Sequence, residues 1–324
     1  MSSQRAVQRF PGTVGVIGLG AMGAPMTHNL LRGAPPGTRV LVHGRTPARL
    51  APLVDAGAHL AATPRILAEA CDVVLVMLPD LPQLEALLAG EDGLVAGVSE
   101  PTILVVGSSV SPGELRTLAS RVAKETEGLL RLVDAPVSGG VEGAGAGTLS
   151  IMVGGADDDV RVVTPVLATM GTPVHLGPLG SGEVAKACNQ LIVAATMTAI
   201  AEAAVIAERA GLDVDALLTL LRGGYAGSRV LETKQRAVVT RDYTPSGAAR
   251  FMVKDLAAAH EEAARTNTRT RQLDLLRELF DDVVAAGLGD DDLAVVHRYV
   301  AEAPVAEAPA AQDPAASRAQ VDNR

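Results

Sequence analysis

Residues 13–32 limit the possible folds of this chain more than any other stretch. A short β-rich run, TVGVI, is closed by Gly18, Leu19, Gly20, Ala21, Met22 and Gly23, and a segment of helical character follows at once. That is strand, GxGxxG and helix in the order a dinucleotide-binding turn requires. The first glycine of such a turn makes the tight bend, the second lets the backbone approach a pyrophosphate, and the third lets helix and strand pack closely. The free N–H groups and dipole of the helix then hold the anion. Residues 18–23 are therefore cofactor-binding candidates, and the chain is expected to begin with a parallel α/β domain of the Rossmann type.

The next strand, residues 39–43 (RVLVH), ends where such proteins place the group that reads the adenosine ribose, about twenty residues after the glycine loop. An acid there would bind the 2′-hydroxyl of NAD. The sequence instead reads His43, Gly44, Arg45, Thr46, and a guanidinium beside a hydroxyl suits a 2′-phosphate. Arg45 and Thr46 are accordingly read as cofactor contacts and NADP as the preferred cofactor, with NAD as the alternative. The plainer reading makes Thr46 a helix N-cap ahead of Pro47. Strands and helices go on alternating through residues 72–78, 81–88, 102–106 and 112–123, which implies a parallel sheet with ligands at the carboxyl ends of its strands. Two such ends stand out. Met77, Leu78 and Pro79 could pack on the cofactor, and Gly107, Ser108 and Ser109 could line a nicotinamide site.

Residues 131–155, RLVDAPVSGGVEGAGAGTLSIMVGG, read as strand, glycine-rich loop and strand. Successive amides of Ser138, Gly139 and Gly140, with the Ser138 hydroxyl, can form a nest for a carboxylate; the alternative is a simple glycine-rich hairpin. Further on, GEVAKACNQ (182–190) opens a segment that is apolar almost all round to residue 207, as in a helix buried on most sides. Gly182, Lys186, Asn189, Gln190 and Val193 share one face of it. The lysine either snorkels along the helix end to water or has chemistry to do.

Composition excludes several classes. The 324 residues carry a formal net charge of −9, which argues against binding nucleic acid through its phosphate backbone. With 48% hydrophobic but 2% aromatic residues and no Trp, the core must be Ala, Val, Leu and Ile. Two cysteines, Cys71 and Cys188, offer no disulfide framework and no metal-ligand spacing; both read as small buried hydrophobes in a cytoplasmic protein. The N-terminal apolar run turns into the glycine motif and does not read as a signal peptide. Residues 191–201 are too short an apolar stretch to span a bilayer, so no membrane segment is expected.

Taken together, VIGLGAMG, DAPVSGG followed by GTLSIMVGG, GEVAKACNQ and the later KDL (254–256) resemble the β-hydroxyacid dehydrogenases, over nearly the whole chain and in the family's order. The resemblance implies hydride transfer between a nicotinamide cofactor and a small β-hydroxy acid or semialdehyde, with Lys186 as the catalytic proton carrier. It further implies that Asn189 orients the substrate, that Ser138, Gly139 and Gly140 hold its carboxylate, and that Lys254 closes over the cofactor. The stretch GGYAGSRVLE (223–232) is similar to the tartronate semialdehyde (2-hydroxy-3-oxopropionate) reductases, which makes Tyr225 and Ser228 substrate-contact candidates. DYTP (242–245) resembles threonate dehydrogenases, and 3-hydroxyisobutyrate is the other substrate in view. Gly107 stands where relatives commonly carry Asp, and Gly44 where NADP-preferring relatives often carry Asn. Imine reductases share the architecture but generally have another residue where Lys186 stands; the non-catalytic relatives have lost the lysine and carry basic extensions.

The expected organisation is a Rossmann-type domain over residues 1–180, an all-α domain over 181–300 reached by a long helix, and a disordered Ala/Pro/Glu-rich tail over 301–324. That helix, nearly thirty residues or ~40 Å long, offers more apolar surface than one small domain covers. A homodimer or homotetramer is expected, with a small carboxylate substrate and neither nucleic acid nor membrane as partner.

Overall fold

The computed structural model describes residues 10–302, so the tail beyond residue 302 lies outside the described residues. The first half alternates strands β1 (Thr13–Ile17), β2 (Arg39–His43), β3 (His59–Leu60), β4 (Val73–Val76), β5 (Thr102–Val106) and β6 (Leu130–Asp134) with helices. Those helices are α1 (Gly23–Gly33), α2 (Pro47–Asp55), α3 (Pro64–Ala70), α4 (Leu81–Leu88), α5 (Leu94–Gly97) and α6 (Pro112–Glu125). The strand order β3-β2-β1-β4-β5-β6 is parallel throughout. Its order reverses between β1 and β4, the switch point at which doubly wound sheets open a crevice for ligands.

Every strand of the middle of this sheet is covered on both faces, which is why its sequence is a continuous apolar run. Val14, Val16, Val73, Leu75, Ile103 and Val105 point into one core layer; Ile17, Val74, Val76, Leu104 and Val106 point into the other. Beyond β6 the sheet departs from the expected parallel pattern. β8 (Leu149–Gly154) runs antiparallel to β6, and β7 (Val137–Ser138) pairs antiparallel with it, Val137 and Ser138 opposite Ile151 and Ser150. The chain turns back on itself there, and the glycine-rich connection is a short helix, α7 (Gly140–Ala146), rather than an open loop. Next, α8 (Asp157–Leu167) leads to β9 (Gly171–Gly177), parallel to β8.

The long helix α9 (Ser181–Arg209) leaves the sheet and carries the second core. Its Ala187, Ala194, Met197, Ala201 and Ala204 pack with residues of α10 (Val214–Arg222), α11 (Arg229–Thr240), α12 (Phe251–Arg265), α13 (Arg271–Ala285) and α14 (Val296–Glu302), around Phe280. Small side chains on α9 let these helices approach it closely, the packing that a core poor in aromatics calls for. Its N-terminus is fastened to the sheet by Asp134 at the end of β6. The carboxylate accepts the Gly180 N–H at 2.8 Å through Oδ1 and the Glu183 N–H at 2.8 Å through Oδ2, filling two of the positions a helix start leaves open.

Candidate active site

Three glycines of the first turn do three different jobs. Gly18 has φ +91°, and a Cβ there would collide with the Met77 carbonyl oxygen of β4's end. A Cβ on Gly23 would collide with the Gly18 carbonyl oxygen, so this glycine sets the approach of α1 to β1. Around Gly20 there is only open space: the nearest atom to a Cβ there is Arg49 Nη1 at 4.0 Å. This opening belongs to a cleft of about 430 Å³ at the β1/β4 switch point, lined by Gly18, Leu19 and Gly20 on one side and Met77, Leu78 and Pro79 on the other. Ala21, Met22 and Gly23 are not part of its lining; they lead into α1, with Met22 as the N-cap and Gly23 as the first helical residue.

At the far end of the cleft stand Arg45, Thr46 and Arg49. Thr46 occupies the N-cap position of α2, but its hydroxyl makes no capping hydrogen bond and is free for a ligand. Arg49 went unassigned in the sequence, although a spacing of four from Arg45 was the signal that could have found it. Two guanidiniums and no carboxylate form the charged lining among the described residues. Gly20's open front and this basic end fit a dinucleotide.

At the end of β5, Ser108 is buried and its Oγ accepts the Leu78 N–H at 2.7 Å, tying two strand ends together. Gly107 has a local reason: Met77 Sδ sits where its Cβ would be. Ser109 turns toward the second domain. Its Oγ donates to Asp255 Oδ1 at 2.9 Å and accepts from Lys254 Nζ at 2.7 Å, while Lys254 also bonds the Ser109 carbonyl at 2.8 Å and Asp255 Oδ1 at 2.8 Å. Lys254 thus joins α12 to the loop after β5.

Lys186 lines a second cavity, of about 230 Å³, between α9, α12, the loop after β5 and the start of α4. Its Nζ donates to Gln190 Oε1 at 2.9 Å, and the same oxygen accepts Asn189 Nδ2 at 2.9 Å. Gln190 Nε2 in turn donates to Asp255 Oδ2 at 2.7 Å, so the carboxylate on one side and the ammonium on the other fix which way the amide faces. Ser138 Oγ lies 3.5 Å from Asn189 Oδ1, which links the lysine, through two amides, to the glycine-rich strand end. Burial pushes the Lys186 ammonium below the usual lysine range; Asp255 and Glu183 oppose the shift and Lys254 adds to it.

Gly139 and Gly140 have φ of +135° and +62°, conformations that favour glycine, and nothing stands within 4 Å of a Cβ on Gly140. Tyr225 and Ser228 lie on the loop between α10 and α11. Ser228 is the N-cap of α11, its Oγ accepting the Leu231 N–H at 3.1 Å, and Tyr225 is fully exposed and lines neither cavity. The start of α11 nonetheless faces α7, since Arg229 reaches Glu142 at 4.0 Å.

Asp134, Glu183, Gln190 and Asp255 received no role from sequence reasoning, yet all four are buried around this site. Each stood inside a motif already singled out. Cys71 is buried as expected, and burial, with the Asp72 charge adding to it, pushes its thiol up to about 12. Cys188 corrects the expectation: it is exposed, because it falls on the side of α9 opposite Gln190 and the second core.

A dinucleotide cleft at the switch point of a parallel sheet, with a half-buried lysine at the junction with a helical domain, defines a two-domain nicotinamide-dependent dehydrogenase. Comparison with known proteins agrees along the whole described chain. Residues 13–180 match the NAD binding domain of 6-phosphogluconate dehydrogenase, and residues 180–300 match the NAD-binding domain of NADP-dependent 3-hydroxyisobutyrate dehydrogenase. The chain is 37% identical to 2-hydroxy-3-oxopropionate reductase of Escherichia coli over 279 residues, 85% of this chain and 92% of that one. It is 34% identical to the NAD-dependent L-serine dehydrogenase of Pseudomonas aeruginosa over 293 residues, 88% and 96% of the two chains. The crystal structure of 3-hydroxyisobutyrate dehydrogenase from Salmonella typhimurium superimposes with a TM-score of 0.79 at 26% identity, covering 90% of this chain and all of that one. The chain belongs to the β-hydroxyacid dehydrogenase family and is an NAD(P)-dependent oxidoreductase acting on a hydroxyl group.

Proposed function

We propose that the protein interconverts a small carboxylate bearing a β-hydroxyl with its semialdehyde, in the manner of a 2-hydroxy-3-oxopropionate reductase, and that it prefers NADP. The observation that carries this reading is the chain of contacts from Lys186 through Gln190 and Asn189 to Ser138, two residues before the open Gly140. A substrate whose carboxylate rests on the Ser138–Gly140 amides presents its hydroxyl or carbonyl toward Lys186. In the oxidative direction Lys186, as an amine, takes the hydroxyl proton; in reduction its ammonium gives a proton to the carbonyl oxygen. Burial lowers the Lys186 ammonium from the usual lysine range, which makes the amine easier to reach for a group that must do both. The bound dinucleotide supplies the hydride acceptor or donor. Asn189 holds the substrate oxygen, and Lys254, bound to Ser109, keeps α12 over the nicotinamide end of the cleft. Tyr225 and Ser228 are proposed to meet the substrate from the α10–α11 loop.

NADP is favoured by Arg45 and Arg49 together with the unused Thr46 hydroxyl. A spectrophotometric screen of 2-hydroxy-3-oxopropionate, 3-hydroxyisobutyrate, threonate and L-serine, each with NADP(H) and NAD(H), tests both parts. The highest kcat/KM is expected for 2-hydroxy-3-oxopropionate with NADPH. A preference for NADH of about tenfold, equivalent to ~1.4 kcal/mol, would reverse the cofactor reading. Lys186→Ala should lower kcat by about 10² to 10⁴ while NADPH still binds; a variant that turns over normally removes Lys186 from its role.

A further inference from the structure

Lys186 shares its cavity with a second titratable group that the mechanism above does not use. Glu183 lies one turn earlier on α9, lines the same cavity and is 1% exposed. Its Oε2 accepts the Val110 N–H at 3.1 Å, and its Oε1 is buried with no hydrogen-bond partner. Lys186, which a spacing of three places within reach of it, donates instead to the neutral Gln190 amide. A buried carboxylate oxygen without a hydrogen-bond partner is a costly state, relieved either by a proton on the carboxyl group or by pairing with the ammonium.

We propose that Glu183 and Lys186 hold one proton between them, and that Glu183 is the positioning residue deciding when Lys186 is an acid and when a base. The proposal rests on the reading of Lys186 as the proton carrier. Burial holds the Glu183 carboxyl well above the usual carboxylate range and the Lys186 ammonium below the usual lysine range. The other charges around Glu183 are mixed: Asp134 on β6 and Asp255 on α12 favour its neutral form, while Lys254 on α12 favours the ionised one. Glu114 of α6, Glu261 of α12 and Asp80 at the start of α4 line the cavity too, and Arg116 of α6 reaches the Leu179 carbonyl beside the start of α9. During oxidation the substrate O–H bond breaks and its proton joins the pair, while hydride leaves carbon for the oxidised dinucleotide. The pair then releases one proton to water, and reduction runs the same steps backwards.

The test is Glu183→Gln, which keeps an acceptor for the Val110 N–H but removes the ionisable group. Trace acetylation of lysines across a pH series, quantified by mass spectrometry on the protein without cofactor or substrate, reads the titration of Lys186 directly. The Lys186 midpoint is expected at lower pH in E183Q than in the wild type, because one of the two carboxylates that favour the ammonium is gone and Asp255 alone remains. The acidic limb of kcat for alcohol oxidation should move in the same direction with the cofactor KM unchanged, and Glu183→Asp should bring both back toward the wild type. An unmoved midpoint in folded E183Q overturns the proposal. If E183Q does not fold, the wild-type curve decides: a coupled pair titrates over a broader range than one proton does, and a single-proton curve overturns the pairing. A shifted midpoint in a protein without dehydrogenase activity would leave the pairing standing and remove the functional reading.

Discussion

At the scale of single residues, the glycine turn separates demands of folding from demands of binding. Gly18 and Gly23 are required by the chain itself, since any side chain at either meets a backbone carbonyl oxygen. Gly20 meets nothing within 4 Å except Arg49 Nη1 at that limit, and its φ is not among the positive ones. Gly20→Val should therefore leave the unfolding midpoint near that of the wild type and weaken dinucleotide binding by about tenfold or more, ~1.4 kcal/mol or above. Gly18→Ala should destabilise the protein before binding can be asked about. Thermal unfolding beside NADPH titration distinguishes the two, and undiminished NADPH affinity in Gly20→Val would mean that the pyrophosphate does not pass this glycine. The sequence made this turn legible because its six residues are consecutive and their spacing is itself the motif, although the Met77 carbonyl that Gly18 must clear lies 59 positions on. Gln190 and Asp255 were not legible in the same way. Their hydrogen bond joins positions 65 apart, and neither residue's periodicity says that a partner waits on another helix.

Among elements, α9 depends on a cap that does not come from its own sequence. Gly180 supplies no side chain, and the N–H groups of Gly180 and Glu183 are taken by Asp134, 46 and 49 residues away. Burial pushes the Asp134 carboxyl upward while the N–H groups of Gly180, Glu183 and Gly182 pull it down, the mark of a carboxyl placed for bonding rather than for water. Asp134→Ala leaves two buried donors without partners and should cost about 2–5 kcal/mol of stability. Asp134→Asn keeps one acceptor and should cost less. Urea unfolding followed by circular dichroism measures the order; equal stability of wild type and Asp134→Ala would mean that water fills the place. The helix itself was readable from residue 181 onward, as were its apolar run and the strands before it. The cap was not, because DAPVSGG shows an aspartate at a strand end without showing what it faces. The antiparallel pairing of β7 with β8 was open in the sequence, as the hairpin alternative, for a related reason: a glycine-rich stretch carries no hydrophobic pattern to fix its direction.

For the molecule as a whole, α9 poses the remaining question. Among the described residues it is the one helix long and apolar enough to cross a membrane by length and composition, with a mean hydropathy of 1.8 over its best window, of which 44% is buried. The shorter stretch 191–201 had suggested otherwise, because the apolar character is spread along the helix rather than concentrated. Glu183, Lys186, Asn189 and Gln190 stand in its first third and are bonded to both domains, so one side of the helix serves the interior of the protein. Its other side carries the exposed Cys188, Ile192, Ala199, Glu202 and Ile206, with the partly buried Ala195 between them, at alternating spacings of four and three. Ile192 and Ile206 are 66% and 68% exposed. A stripe with that spacing is the seam of a helix pair, and small residues at its middle allow a second helix to come close. We propose that a second copy of the chain covers it, two α9 helices packing across a twofold axis. Sedimentation equilibrium at low micromolar concentration should then give a dimer or a tetramer built from it. Ile192→Glu combined with Ile206→Glu should give a folded monomer, since neither side chain belongs to the core of its own chain. A wild-type protein that sediments as a stable monomer would leave the stripe without a partner and sink the proposal.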